Sequence, residues 1–262
     1  MGIIESLTYG FVQGVAEYLP ISSSSHLILL PKFLGTEDPG LAFDVFLHIG
    51  TLGATLMYFW KDWWVLVLDF VKRKQTHDIG VLHIVMGTLP AIVLGGLFHN
   101  LIETVLRGNV VIAVAQCVGG ILLFSSDRFI KAQNSLSTLS LKQAFAVGCF
   151  QCLSLVPGMS RSGSTLIGGR VVGLGREASA KFSFLLSAPI TAAAVIYEMR
   201  HFSKLFEGDV GVTGIVVGGL SSFLFGALAI GGLMKYLRTN GFAVFMIYRI
   251  LLAGVILWYL GA

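Results

Sequence analysis

The chain has 262 residues, of which 55% are hydrophobic and only 12% are charged. Soluble domains carry roughly 25% charged residues, so this composition, with a mean hydropathy of +0.82, excludes an ordinary soluble domain and indicates an integral membrane protein. The net charge is +4, but the cations form short patches between apolar spans, so no nucleic-acid partner is expected.

The first residues, MGIIESLTYG, lack the basic region, continuous apolar core and cleavage site of a removable signal peptide. We therefore expect the N-terminus to be retained. The three cysteines form no obvious disulfide framework. Cys149 and Cys152, in the stretch CFQC, have a redox-like or metal-like spacing, but without two further ligands they are interpreted as residues of ordinary helix packing.

Six windows have, or nearly have, the roughly 20 apolar residues that a helix needs to cross the hydrocarbon core. We predict six transmembrane helices from them. The windows are Ala42 to Trp60, Val81 to Phe98, Val110 to Phe124, Phe182 to Tyr197, Val210 to Met234 and Phe242 to Leu260.

Two further apolar regions, Ile3 to Leu34 and Gln143 to Leu174, are each interrupted in the middle by a proline and a run of serines. Each half is too short to span a membrane. Irregular backbone at membrane depth is tolerated only where protein buries it or it lines a cavity, so both regions are predicted to be re-entrant helix-turn-helix hairpins. Pro20 and Pro157 mark the turns, and serine is a preferred N-cap for the helix that follows.

The two halves of the chain also resemble each other. GFVQ at residue 10 parallels GCFQ at residue 148, and, once one residue is dropped before the prolines, an offset of 137 pairs Pro20 with Pro157 and Ser23 with Ser160. This predicts one membrane domain, residues 1–262, built from two repeats of approximately 1–130 and 131–262.

Lys and Arg residues near the span ends predict the orientation, because cytoplasmic loops are rich in them. Eleven lie on one side and four, namely Lys32, Arg107, Arg200 and Lys204, on the other. The rich side is assigned to the cytoplasm, with both termini outside. The first hairpin then enters from outside and the second from the cytoplasm, so the repeats are inverted and their turns meet near the midplane, an arrangement known from secondary transporters.

Two helix N-termini that converge on one cavity form an anion site, because their free N–H groups and dipoles point at it. Arg161 adds a planar fork of donors that suits phosphate oxygens. The alternative is that Arg161 is a structural counter-ion for a buried acid such as Glu17.

Ser23 and His26 are three residues apart at a helix start, so the hydroxyl could reach the imidazole as a nucleophile beside a base. Alternatively, the serines only cap the helix and His26 is a core histidine. Gln13 and Glu17 share one helix face and offer oxygen ligands for Mg²⁺ or Ca²⁺. Alternatively, Glu17 orients His26 or pairs with an arginine, and Glu17 and Arg161 are counted among the catalytic candidates. Asp44 and His48 have the same spacing, and their membership of the site stays open.

The motifs QGVAEYLPISSSSH (residues 13–26) and PGMSRSGST (residues 157–165) resemble those of the undecaprenyl-diphosphate phosphatase family of bacitracin-resistance proteins. FDVFLHIGTL and FMIYRILLAG support the resemblance, which covers nearly the whole chain. It implies removal of the terminal phosphate from undecaprenyl diphosphate with a divalent cation. Gln13 stands where the family commonly has glutamate, which weakens the expectation of direct metal binding there.

The resemblance also implies residue roles. Ser23 and His26 match the catalytic serine and histidine, Gln13 and Glu17 the motif linked to metal binding, and residues 160–165 the phosphate-binding motif. Ser23 is the favoured nucleophile, with His26 as its base or as the nucleophile itself. We expect the substrate to be bound by Ser22, Ser160, Arg161, Ser162, Thr165 and Arg249, although Arg249 could instead be a structural ion-pair partner.

The sequence therefore predicts an all-α polytopic phosphatase of a polyprenyl diphosphate lipid in the bacterial cytoplasmic membrane, with its site open toward the outer face. The prenyl tail would lie on apolar helix surfaces. A homodimer is one candidate assembly. The competing hypothesis is a transporter or flippase for an anionic or polyprenyl-phosphate lipid, which would bind and move its substrate without cleaving a bond.

Overall fold

The computed structural model describes residues 1–73, 78–98, 104–106, 108–198 and 210–260. Within these ranges the chain is all-α, as predicted, and contains no β-strand. Short 3₁₀ helices at Leu136–Thr138 and Cys152–Leu155 accompany the α-helices. The α-helices are α1 (Ile3–Tyr18), α2 (Ser23–Leu34), α3 (Leu41–Tyr58), α4 (Trp60–Lys72), α5 (Val81–Leu97), α6 (Asn109–Phe129), α7 (Leu141–Gln151), α8 (Arg161–Val171), α9 (Arg176–Glu198), α10 (Gly211–Tyr236) and α11 (Ala243–Leu260).

Each of the six predicted spans coincides with a helix, namely α3, α5, α6, α9, α10 and α11. In α6, α9 and α10, the stretches Asn109–Phe129, Arg176–Tyr197 and Gly211–Tyr236 are long and apolar enough to cross a membrane. The other three contain the shorter apolar stretches Phe43–Tyr58, Val81–Leu97 and Ala243–Tyr259. The protein is a multi-pass membrane protein.

Helix α4 was not among the predicted spans, because Lys61 and Lys72 were assigned to the cytoplasmic segment that follows the first span. It is amphipathic, with Leu66 and Asp69 buried while Trp64 and Phe70 are exposed. Exposed aromatic side chains are typical of helices at the membrane–water interface. The segment after α3 is thus an ordered helix rather than a loop.

Both interrupted regions are broken helices, as predicted. Helix α1 ends at Tyr18 and α2 begins at Ser23, while α7 and the 3₁₀ turn after it are separated from α8 by residues 156–160. Ser22 and Ser160 are the N-cap residues of α2 and α8, and both have positive φ angles, 73° and 70°. Positive φ is uncommon for a residue other than glycine, so the two turns share an unusual conformation.

This shared conformation corrects the predicted register of the repeat. Ser160 lies 138 residues after Ser22, the spacing that also separates Gln13 from Gln151. No residue has to be dropped, and the counterpart of Ser160 is Ser22 rather than Ser23. The division into repeats at about residue 130 stays a prediction.

The two hairpins enter the protein from opposite ends of α6. At the first end, Lys32 at the close of α2 bonds Asn109 at the start of α6. At the other end, Asp127 forms ion pairs with Arg170 of α8 and with Arg176 at the start of α9. Which end faces the cytoplasm stays a prediction. Four residues used for that assignment, Lys74, Arg107, Arg200 and Lys204, lie outside the described residues.

Small residues bring α1 and α3 close to α10. A Cβ atom on Gly10 of α1 would lie 2.3 Å from the carbonyl oxygen of Gly218, and one on Gly50 of α3 would lie 2.3 Å from that of Gly219. Membrane helices pack closely through such residues, because lipid supplies no hydrophobic drive for helix association. This packing fixes α1 and α3, which carry part of the site described next.

Candidate active site

A cavity of about 210 Å³ lies where the two broken helices meet. The starts of α2 and α8 contribute serines and Arg161, α1 contributes Glu17, and α3 contributes His48. Thr191 and two apolar residues of α9 complete one wall. The cavity is smaller than the roughly 300–1,000 Å³ of drug-sized sites, so it suits a small polar group.

Glu17 is the centre of the hydrogen-bond network at this cavity. Its Oε1 accepts from Arg161 Nη2 at 2.8 Å, and its Oε2 accepts from Ser23 Oγ at 2.7 Å and from Gln13 Nε2 at 3.2 Å. Both carboxylate oxygens are therefore occupied by donors from three different segments. A buried carboxylate requires such partners, because burial of an unpaired charge is costly.

Arg161 combines the two alternatives weighed from the sequence. It is the counter-ion of Glu17, and its Nη1 also donates to the carbonyl of Ser183 at 3.2 Å. It nevertheless lines the cavity. The guanidinium thus lies at the cavity wall, held by a carboxylate from the other hairpin.

The predicted contact between the Ser23 hydroxyl and the His26 imidazole is wrong. His26 Nδ1 donates to the carbonyl oxygen of Ser22 at 2.7 Å, and Nε2 pairs with the Tyr248 hydroxyl at 2.6 Å. Since a carbonyl can only accept, Nδ1 carries a proton, and in the neutral ring Nε2 accepts from Tyr248. The imidazole therefore faces α11, while Ser23 donates to Glu17.

His48, left open by the sequence, belongs to the cavity. Its Nε2 lies 3.6 Å from Glu17 Oε2, and its Nδ1 donates to the carbonyl of Asp44 at 2.7 Å. Asp44 contributes this carbonyl but does not line the cavity. The spacing of four residues shared with Gln13 and Glu17 was the available signal, but only the packing of α3 reveals which helix face meets Glu17.

Ser162 and Thr165 do not line the cavity, contrary to the predicted phosphate contacts. The Ser162 hydroxyl donates to the carbonyl of Leu19 in the other hairpin at 3.1 Å. The Thr165 hydroxyl donates to the carbonyl of Arg161 and pairs with the hydroxyl of Ser183 at 2.6 Å. Ser162 thus bonds the first turn, and Thr165 bonds α8 and α9, outside the cavity lining. Ser22 and Ser160 do line the cavity.

Both roles predicted for Arg249, a phosphate contact and an ion-pair partner, are wrong. It is completely buried. All of its nitrogen atoms donate to backbone carbonyls, which belong to Pro20, Ala115, Gln116, Gly158 and Met159. Arg249 does not line the cavity.

The residues predicted to bind a divalent cation fit only part of a coordination shell. Gln13 turns its Nε2, a donor, toward Glu17 Oε2, while Gln13 Oε1 is buried without a hydrogen-bond partner. Gln13 does not line the cavity. Within the described residues no group of three or more His, Cys, Asp or Glu side chains could hold a metal. Two protein oxygens suffice when a substrate phosphate supplies further ligands, as is common for Mg²⁺.

The cysteine pair Cys149 and Cys152 forms no disulfide, and both residues are free thiols.

The fold is thus that of a multi-pass helical membrane protein, in which two broken helices enter from opposite ends and meet at a cavity with a serine–glutamate–arginine network. Comparison with known proteins gives the family. The chain matches the family described as "Bacitracin resistance protein BacA" over residues 6–255, and it belongs to this family.

Curated relatives cover nearly the whole chain. A protein of Gemmatimonas aurantiaca named "Undecaprenyl-diphosphatase" is 42% identical over 98% of this chain and 97% of its own length. Proteins with the same name from Pelotomaculum thermopropionicum and Elusimicrobium minutum are each 39% identical, over 100% and 98% of this chain and 98% of their own lengths.

Proposed function

We propose that the protein is an integral membrane phosphatase that hydrolyses undecaprenyl diphosphate to undecaprenyl phosphate and inorganic phosphate. The product is the lipid carrier that cell-wall synthesis uses again. The names of the full-length relatives support this proposal over a transporter or flippase. The structural observation that carries it is the Glu17 carboxylate, which holds the Ser23 hydroxyl on one oxygen and Arg161 on the other.

Ser23 is the proposed nucleophile. Its Oγ forms a bond to the terminal phosphorus while the bond from that phosphorus to the bridging oxygen breaks, and the lipid monophosphate leaves with the electron pair. The proton of Ser23 passes to Glu17 Oε2, which already accepts its hydrogen bond. Water then attacks the phosphorus of the phosphoserine: its oxygen bonds the phosphorus as the bond from Ser23 Oγ to phosphorus breaks. The proton on Glu17 returns to Ser23 Oγ, and inorganic phosphate leaves with the two protons of the water.

Charge on the transferring phosphoryl group is offset by Arg161 and by the first-turn N–H groups of α2 and α8. In α8 the Gly163 N–H already donates to the Ser160 hydroxyl at 3.1 Å, so the other first-turn N–H groups of the two helices are the proposed phosphate donors. The helix dipoles favour an anion at this end. Such fixed donors account for most of the catalysis in phosphoryl transfer. Ser22 and Ser160, whose side chains line the cavity, would contact the same phosphate.

A divalent cation, Mg²⁺ or Ca²⁺, remains part of the proposal. Gln13 Oε1 and the Glu17 carboxylate are the protein oxygens that would hold it, together with phosphate oxygens of the substrate. When bound, the cation would supply further neutralisation of the diphosphate charge. Support comes from the Glu17 carboxylate at the cavity wall and from Gln13 Oε1, which is buried without a hydrogen-bond partner although Gln13 does not line the cavity.

The prenyl tail is proposed to leave the cavity along apolar helix surfaces, because the cavity volume of about 210 Å³ is too small for a long chain. We place the protein in the bacterial cytoplasmic membrane, with the cavity reached from the outer face. This placement follows the eleven-to-four distribution of Lys and Arg residues. The homodimer stays a prediction.

The decisive experiment is phosphate release from purified protein in detergent supplied with a polyprenyl diphosphate. We expect steady release of inorganic phosphate by the wild-type protein and a loss of at least about 100-fold in Glu17→Gln, which cannot take the proton of Ser23. Lipid movement in reconstituted vesicles without phosphate release would instead support the transporter hypothesis.

A further inference from the structure

Each turn between broken helices leaves backbone carbonyls without a helical partner, and in a membrane these groups cannot bond water. In the first turn, side chains from distant helices supply the donors. Ser162 donates to the carbonyl of Leu19, Arg249 donates to Pro20 at 3.2 Å, and Gln116 donates to Ile21 at 2.9 Å. Side chains of α6, α8 and α11 therefore fix the conformation of the first turn.

Arg249 is the residue that contacts both turns with a single guanidinium. Its Nη1 bonds Pro20 in the first turn, and its Nη2 bonds Gly158 at 2.8 Å and Met159 at 3.1 Å in the second turn. Its other bonds go to the carbonyls of Ala115 and Gln116 in α6. The planar, rigid geometry of the guanidinium fixes the distance between the two turns.

The surrounding residues leave room for this group. A Cβ atom on Gly119 of α6 would lie 2.1 Å from Arg249 Nη2, and one on Gly163 of α8 would lie 3.1 Å from Nη1. No ion pair joins Arg249 to a carboxylate in the part of the chain that the structure describes. Each nitrogen atom of this completely buried cation thus bonds at least one backbone carbonyl oxygen.

We propose that Arg249 is a positioning residue of the phosphatase: it sets the two serine-bearing turns in register so that the N-termini of α2 and α8 point at the same phosphate. The effect on catalysis rests on the proposed function. The hydrogen bonds by which Arg249 joins the two turns are independent of it. The N-cap residues that follow the bonded carbonyls, Ser22 and Ser160, line the cavity, so a shift of either turn moves the phosphate donors directly.

Arg249→Lys tests the role of the fork, because lysine keeps the charge but cannot bond both turns with one planar group. A misplacement of about 1 Å can cost about 100-fold in rate, so we expect kcat to fall by about 100-fold while KM changes much less. The matched control is Arg170→Lys. Arg170 is a nearly buried arginine that donates to the carbonyls of Ile130, Ala132 and Leu174, away from both turns. The control variant Arg170→Lys should lose stability but keep the kcat of the wild-type protein.

Gly119→Ala is a second variant that leaves Arg249 in place and pushes its guanidinium aside. Its control is Gly254→Ala in α11, where an added Cβ meets nothing within 4 Å. We expect Gly119→Ala to lower kcat by tenfold or more, roughly the effect of 1.4 kcal/mol, and Gly254→Ala to match wild type. This pair decides the question if Arg249→Lys fails to fold.

Hydrogen–deuterium exchange at the two turns gives a readout that does not depend on activity. We expect faster exchange at residues 19–23 and at residues 157–161 in both Arg249→Lys and Gly119→Ala, whereas Arg170→Lys should change exchange around residues 130–134. Unchanged exchange at either turn in these two variants, or kcat within twofold of the matched control, overturns the proposal. If wild-type protein releases no phosphate, the proposed function fails, and the exchange data alone decide whether Arg249 ties the turns.

Discussion

Arg161 and Glu17 lie 144 residues apart in the chain, on different broken helices, and Arg161 Nη2 donates to Glu17 Oε1 at 2.8 Å. Both side chains are largely buried, so removal of either partner leaves a largely buried charge without its counter-ion, which is costly. The cavity thus forms only when the two hairpins are assembled. Each substitution below therefore needs a check of folding next to its activity measurement.

Arg161→Lys should lower kcat by about 100-fold, the usual cost of removing one donor to the transition-state charge. Lysine retains the charge but lacks the fork that bonds Glu17 and a phosphate together. Steady-state phosphate release measures the effect. Arg238→Lys, at an exposed position, is the control and should remain near wild type. Comparable turnover in the two variants would remove Arg161 from the catalytic role.

Ser23→Ala should nearly abolish hydrolysis, because the proposed nucleophile is lost. Ser22→Ala and Ser24→Ala should be much milder, since the hydroxyls of Ser22 and Ser24 bond each other rather than Glu17. Acid quenching with substrate labelled in its terminal phosphate should trap an acid-stable phosphoserine. An acid-labile phosphohistidine at His26, or substantial turnover by Ser23→Ala, would contradict the assignment.

Tyr248→Phe removes the hydroxyl that bonds His26 Nε2. His26 has no step in the proposed mechanism, so this variant tests whether it takes part. A hydrogen bond of about 1 kcal/mol that is lost from the transition state would lower activity roughly fivefold, whereas unchanged activity would give the contact a structural role. If Tyr248 acts only through His26, the double variant His26→Ala/Tyr248→Phe should be no worse than His26→Ala alone. Phosphate release from the four members of this cycle measures the coupling, and fully additive losses would mean that the two residues act separately.

Gln13→Glu should lower the Mg²⁺ concentration needed for half-maximal activity, because a second carboxylate would join Glu17 at the proposed cation site. Gln13→Leu should raise it. The measurement is a Mg²⁺ titration of phosphate release after treatment with EDTA. Identical titration curves for the three proteins would place the cation elsewhere.

Lys32 and Lys131 test the orientation of the protein in the membrane. Both are exposed, and the predicted orientation places Lys32 on the outer side and Lys131 on the cytoplasmic side. Cysteine at position 32 should react with a membrane-impermeant reagent added outside intact cells, and cysteine at position 131 should react only after lysis. The three native cysteines, Cys117, Cys149 and Cys152, would first be changed to alanine. The reverse labelling pattern would place the cavity opening on the cytoplasmic side.

The sequence alone determined the class of the protein and the two broken helices that line the candidate site. Apolar windows of membrane length predict helices because the hydrocarbon core requires backbone groups to be bonded within each segment. The proline and serine interruptions at residues 20–25 and 157–162 predict the broken helices for the same reason. Glu17, Ser23 and Arg161 could be selected because polar residues are rare inside such segments.

Only the tertiary structure decided which of these polar side chains contact one another. His26 bonds Tyr248, 222 residues away, and so turns away from Ser23 despite a spacing that permits their contact. His48 lies near Glu17 because the face of α3 that carries His48 packs against α1. Arg249 bonds the backbone carbonyls of both turns and does not contact the cavity. Local spacing fixes the side of a helix on which a residue lies, but its partner depends on how helices from distant parts of the chain pack together.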